Sequence, residues 1–152
     1  MFYSYTSFLE LMKTSLFLVG SVIILFGFGH SAFAMTSNIT MTPPTFVDTF
    51  GKTISNFKVG QQIAVQSNLT NNGSSDQPLT YLVQVMDSSG ATDFLEGSSL
   101  LGKGISPGQS FTEAKVWTPT HSGQYTVEIF VWSSLTSAIP LTDVLHTQVT
   151  VS

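Results

Sequence analysis

The sequence predicts an all-β chain: an immunoglobulin-like antiparallel β-sandwich of about seven strands, preceded by an N-terminal hydrophobic signal or anchor helix. Three observations carry this. Apolar and polar residues alternate with period two in several windows, and no window beyond residue 34 sustains a 3.6-residue period. Residues 35–152 hold 17 Thr and 16 Ser among 118 positions, the first favouring strands and the second turns. Turn signals then cut the chain into short pieces: Asn71-Asn72-Gly73-Ser74-Ser75, Asp87-Ser88-Ser89-Gly90, Ser106-Pro107-Gly108-Gln109 and Thr120-His121-Ser122-Gly123. Seven short strands separated in this way suggest a sandwich, with a closed barrel as the structural alternative.

Residues 1–34 are a separate object. Twenty-one of them are apolar, against 43 of the 118 that follow. Lys13, the apolar run Ser15–Phe28 and the Ala32-Phe33-Ala34 site supply the three parts of a secretory signal, with cleavage expected after Ala34. The eleven residues before Met12, with Glu10 among them, make the leading region long, and a start at Met12 instead of Met1 would give an ordinary short signal. The alternative is an uncleaved membrane anchor, because Ser15–Ala34 is 20 residues and long enough to cross a bilayer. On either reading Lys13 stays cytoplasmic and residues 35–152 lie outside the cell. Membrane contact is expected only through residues 15–34, if they are retained.

Residues 35–44 (MTSNITMTPP) carry no core pattern and end in Pro43-Pro44, which predicts a flexible arm ahead of a sandwich over 45–152. A strand donated to a neighbouring subunit is the sharper alternative. Strands are expected near 45–50, 61–70, 79–87, 92–96, 110–117, 124–133 and 143–151. In the second, Ile63, Val65, Ser67 and Leu69 share a face. Leu79, Tyr81, Val83 and Val85 do so in the third, whose Leu82 and Met86 predict a strand covered on both sides. Tyr125, Val127, Ile129 and Val131 form the strongest run, with Phe130 and Trp132 on the opposite face, and Leu145, Thr147, Val149 and Val151 close the chain.

Pro107-Gly108 predicts a tight turn, and Pro119 ends a strand because it cannot donate to a ladder. Gly123 gives a permissive backbone before the next strand. Tyr125 stands where a tyrosine corner would place its ring in the core and its hydroxyl on nearby backbone. Together, Ser106-Pro107-Gly108-Gln109, Trp117-Thr118-Pro119 and Gly123-Gln124-Tyr125-Thr126-Val127 resemble the P-G-x … W-x-P … G-x-Y-x-V pattern of secreted immunoglobulin-like modules. The pattern is similar to the cell-adhesion-related domain of bacterial and archaeal surface proteins. Asn68-Leu69-Thr70-Asn71 resembles the L-x-N turn after the second strand of such modules. Val83–Asp87 and Phe130–Leu135 look like segments of archaeal exported proteins of unassigned function. The resemblance spans residues 58–151. It implies a fold more than a function, since this fold hosts many. Ser133–Thr142, nearly uncharged and containing Pro140, departs from the acidic, Asn-rich connection such modules often carry.

Composition excludes several classes. There is no Cys and no Arg, and five Lys stand against nine carboxylates for a net charge of −4. Nucleic-acid binding lacks its basic footprint, and disulfide scaffolds, Cys-zinc sites and thiol chemistry lack their sulfur. His121 and His146 form no His/carboxylate cluster, and no G-x-S-x-G elbow is present, so no catalytic residue, metal ligand or cofactor site is expected. Asp87 and Asp93 could reach the same hairpin end as calcium ligands, but a plain turn is the preferred reading of Asp87-Ser88-Ser89-Gly90. Trp117 and Trp132 could form a sugar-stacking platform or pack beneath Leu135–Leu141. An exposed Phe130 and Trp132 would instead mark a contact surface. Three sequons, at Asn38, Asn68 and Asn72, are glycosylation acceptors if the chain is exported. The expectation is therefore a non-catalytic exported or cell-surface module with a structural, adhesive or accessory protein-binding role. Its partner would be protein or envelope glycan, and its oligomeric state stays open. The alternatives are a self-assembling surface subunit using strand addition, and an extracytoplasmic protein that binds a small ligand, sugar or metal.

Overall fold

The computed structural model describes residues 38–152. They belong to the second of two units into which the chain divides, Met35–Ser152; the first, Met1–Ala34, with its expected signal or anchor, lies outside the described residues.

Eight strands follow in order: β1 (Ile39–Met41), β2 (Thr45–Val47), β3 (Ile63–Asn71), β4 (Gln77–Asp87), β5 (Thr92–Ile105), β6 (Ser110–Trp117), β7 (Gly123–Trp132) and β8 (Leu145–Val151). They make two antiparallel sheets. In the first, β3 is central, with β6 along one side and both β1 and β2 along the other. The second runs β5-β4-β7-β8. β1 and β2 are one edge strand interrupted at Pro43-Pro44, which supply no N–H donors. Counted so, the sandwich has the expected seven rows.

The core forms where the period-two faces of the two sheets meet. Ile63, Val65 and Leu69 of β3 face Leu79, Tyr81, Val83 and Val85 of β4 and Tyr125, Val127, Ile129 and Val131 of β7, and all of these are buried. Burying each such aliphatic chain stabilises by about 1.5–3 kcal/mol. Phe57 lies on a crossing segment that leaves the first sheet, pairs in parallel with Val151 and so covers the end of β8.

Four expectations change. The strand placed at 92–96 runs on to Ile105, because register with β4 continues through Gly97, Ser98, Ser99 and Leu100 despite weak local strand preference. Within the stretch read as an arm, Ile39–Met41 pair with the chain's own β3 through Asn71, Thr70 and Leu69, and Ile39 is buried in the core. The strand expected over 45–50 stops at Val47, where Asp48 Oδ1 accepts bonds from the Phe50 and Lys52 N–H groups and starts a turn. β4 is central, but its Leu82 and Met86 face is half-buried in solvent, with no third layer over it among the described residues.

Candidate functional site

The β5–β6 connection is a type II turn. Pro107 presets its first central position and Gly108 takes φ 72° at the second, while the Gln109 N–H donates to the Ser106 carbonyl at 3.0 Å. Asn71, buried at the end of β3, ties this turn to the rest. Its Nδ2 donates to the carbonyls of Ser75 (2.8 Å) and Ile105 (2.7 Å), its Oδ1 accepts from the Gly73 N–H (2.9 Å), and its backbone bonds Gly108 and Gln109. One residue thus ties the β3–β4 loop to the β5–β6 turn. Beyond Trp117, the Pro119 carbonyl accepts from the Gly60 N–H at 2.8 Å.

Tyr125 lies with its ring 5.0 Å from that of Trp117, edge to face, and its hydroxyl donates to the His121 carbonyl at 2.9 Å. Trp117 is buried on the inner face of the first sheet and its Nε1 donates to Asp93 Oδ2 at 2.8 Å. Asp93 is therefore occupied in joining the sheets. Asp87 Oδ1 accepts from the Ser89 hydroxyl, the Ser89 N–H and the Ala91 N–H. Those bonds, the Ser89 hydroxyl's first, hold its carboxyl below the usual carboxylate range. Both aspartates weighed as calcium ligands thus have structural work, and the described residues contain no cluster of three His, Asp or Glu side chains.

A polar ring crosses the core near the β5 and β6 edges. Ser67 pairs with Glu113 in one sheet and Tyr81 with Ser98 in the other, and the Ser98 hydroxyl donates to Glu113 Oε2 at 2.9 Å. Burial pushes the Tyr81 hydroxyl up to about 12; Ser67 faces it and opposes that rise, while the Glu113 charge adds to it. Among the described residues, the hydroxyls of Tyr81 and Ser67 do not reach hydrogen-bond geometry with any partner. The Ser98–Glu113 bond joins the two sheets across this ring.

The two tryptophans lie on different sheets, so they form no joint platform, and Trp117 is not under Leu135–Leu141. Trp132 is on the outer face of the second sheet, half-buried, with its ring 5.8 Å from that of Phe130 and tilted by 56°. Residues 139–141 run beside the end of β7 rather than over it: Pro140 bridges Trp132, and the Leu141 N–H donates to the Val131 carbonyl at 2.8 Å. Register completes the face. Leu82 of β4 stands between Phe130 of β7 and Gly97 of β5, and Leu95 stands beside Gln84. Gly97 leaves room for Leu82, since a Cβ there would lie 3.1 Å from Leu82 Cγ. Leu95 is 60% exposed. Leu82, Leu95, Phe130 and Trp132 thus make an apolar strip on a face open to solvent. Below it Glu128 and His146 pair at 2.9 Å.

The outer face of the first sheet is different in kind. Its β3 row is Ala64, Gln66, Asn68 and Thr70, flanked on β6 by Val116, Ala114, Thr112 and Ser110. Asn68 is half-buried there, while Asn38 and Asn72 are exposed beside it.

A family model described as S-layer A-like matches residues 6–152. No curated protein sequence matches the chain. Among solved structures, the chain is similar to a CARDB (cell-adhesion-related) domain of a Pyrococcus furiosus protein, solved in complex with di-metal ions. The identity is 20%, over 77% of this chain and 94% of that one, with a TM-score of 0.49. It is also similar to the C-terminal domain of wzt, at 11% identity over 77% of this chain and 75% of that one, TM-score 0.56. A third likeness is to the alkylpurine DNA glycosylase AlkC of Pseudomonas fluorescens, at 10% identity over 77% of this chain and 31% of that one, TM-score 0.52. At such identities the last two show the shared sandwich fold alone.

Proposed function

The chain belongs to the S-layer A-like family, and we propose that it is a non-catalytic module of the outer cell surface that holds a neighbouring envelope protein through the outer face of its β5-β4-β7-β8 sheet. Family membership supports an extracellular surface module, and the specific role comes from the side chains. The single observation that carries it is the strip of Leu82, Leu95, Phe130 and Trp132 on a sheet face with no covering layer among the described residues. Aromatic side chains clustered on an open face are the usual anchors of a protein contact, and their apolar area is stabilised by leaving water. The Glu128–His146 pair at the margin fits a polar rim around that centre.

Two side readings follow from the same geometry. Strand addition through residues 35–44 would require β1 to leave its own β3, where Ile39 is buried. A sugar platform would use Phe130 with Trp132, not Trp117. The test is retention on envelopes stripped of the protein. Replacing both aromatics (Phe130→Thr with Trp132→Thr) should abolish retention with the sandwich intact by circular dichroism. Undiminished retention contradicts the reading, and competition by soluble envelope glycan in place of protein would move it to the sugar platform.

A further inference from the structure

The three N-x-S/T sequons are 30 and 4 residues apart in sequence, at Asn38, Asn68 and Asn72, yet the fold gathers them into one patch. Alternate residues of a strand point to the same side. Ile39, Leu69 and Asn71 point inward and are buried, so Asn38, Thr40, Asn68, Thr70 and Asn72 point outward from the first sheet. The β1–β3 register sets Thr40 opposite Thr70. It also sets Asn38 opposite Asn72, whose N–H donates to the Asn38 carbonyl at 2.7 Å. Asn68 follows in the same row, its backbone bonded to Thr42 in both directions at 3.0 Å.

The three amides are not equivalent. The Asn68 side chain makes no hydrogen bond among the described residues. Asn72 Nδ2 donates to Thr40 Oγ1 at 3.0 Å, and Thr40 is the hydroxyl residue of the Asn38 sequon. The two neighbouring sequons therefore share one hydroxyl. Asn38 also lies against Gly73, where a Cβ would come within 3.0 Å of Asn38 Nδ2. Directly opposed side chains on paired strands start only about 4.5–5.5 Å apart, too close for two saccharide chains side by side.

We propose that this face carries N-linked oligosaccharide on two of its three acceptors: one chain on Asn68, and one on either Asn38 or Asn72 but not both. The inference rests on the extracytoplasmic reading, since the transfer needs a sugar donor held on a lipid diphosphate carrier at the membrane. In that transfer Asn Nδ2 forms a bond to the anomeric carbon of the donor sugar. The bond from that carbon to the diphosphate oxygen breaks, the amide nitrogen gives up one proton, and the lipid diphosphate leaves with the electron pair. The face suits the product because the side chains around the acceptors (Thr40, Thr70, Ser110 and Thr112) are uncharged hydroxyls. A sugar chain can lie over them without stripping water from a charge.

The experiment is intact mass and glycopeptide mapping of the protein purified from its native source, with the fraction of recovery recorded. The expected wild-type molecule comes from the envelope fraction with two glycans. Asn38→Gln and Asn72→Gln each keep two, the double variant drops to one, and adding Asn68→Gln gives the bare polypeptide mass. Three glycans on one molecule, an excess mass that survives all three substitutions, or a bare wild-type mass in the envelope fraction overturns the assignment and leaves the surface reading standing. Recovery from the cytosol overturns both.

Discussion

The two outer faces of this sandwich do different things with their side chains. Over the first sheet, Asn68 and Thr70 of β3 stand among Thr40, Ser110 and Thr112, amides and hydroxyls with no charge among them, and only at the far end do Ala64, Ala114 and Val116 follow. Over the second, Phe130 and Trp132 follow each other along β7 with Leu82 of β4 opposite Phe130, and Leu95 extends the apolar patch onto β5. The inner faces are largely alike, mostly aliphatic and aromatic chains at or near zero exposure, with Ser67, Asn71 and Glu113 the buried polar members of the first sheet among the described residues. The difference between the sheets is therefore not a need of the fold, because burial is satisfied inside and either exterior would serve a free domain. Under the proposed function, one face stays in water and the other leaves it on assembly.

The largest expected effect breaks this asymmetry directly. Phe130→Thr with Trp132→Thr should lower retention on stripped envelopes by about tenfold or more, the scale of losing central aromatic anchors. The matched change on the other face, Ser110→Lys with Thr112→Lys, at two exposed positions outside every sequon, should leave retention within about twofold, because exposed rim charges contribute little. Equal losses from the two pairs would erase the distinction between the faces.

A smaller effect separates two tyrosines on the inner side of the second sheet. The Tyr125 hydroxyl has a partner in the His121 carbonyl, so Tyr125→Phe should cost about 1 kcal/mol in two-state unfolding. The Tyr81 hydroxyl is buried without one, so Tyr81→Phe should be neutral or stabilising by a few tenths of a kcal/mol. If the two variants unfold alike, the inner face owes nothing to these polar contacts. The smallest effect lies at the β4–β5 turn. Asp87 is held below the ordinary carboxylate range when folded. Its contribution is thus fully present above the unfolded value near 3.9 and is lost as pH falls through the folded one. Carboxyl titration by NMR should place Asp87 below the ordinary carboxylate range, with the turn amides of Ser89 and Ala91 moving at the same pH.

How far the sequence foretold this structure depends on where each strand finds its partners. β7 was legible because every second residue from Tyr125 to Val131 is core, and local alternation alone shows it. β5 was legible only at its start. Beyond Glu96 it runs through Gly97, Gly102 and Gly104, and its strand character is imposed by β4 across the sheet. Gly104 makes the point: it sits at φ 64°, and a side chain there would collide with the Gln77 carbonyl, a requirement set by a residue 27 positions away. β1 gave no signal because a three-residue strand with one fully buried side chain has no period to read. Parity placed Phe130 and Trp132 away from the core, but it could not say that Trp117 belongs to the other sheet. Leu95 joins the strip only through the β4–β5 register. The sequons were visible as motifs. Their gathering onto one face depends on β1 pairing with β3, which the sequence read as an arm.

If the protein is held by its Phe130–Trp132 face, that face is covered in the native envelope. Radical footprinting with mass spectrometry, on the isolated protein and on intact envelopes, measures this residue by residue. Trp132, Phe130 and Leu95 should be labelled in the isolated protein and protected in the envelope. Phe50, 93% exposed on a turn away from both faces, serves as the internal reference. Trp117, at 1% exposure, should be unlabelled in both. Equal labelling of Trp132 in the two samples would contradict the claim that this face is the one by which the protein is held.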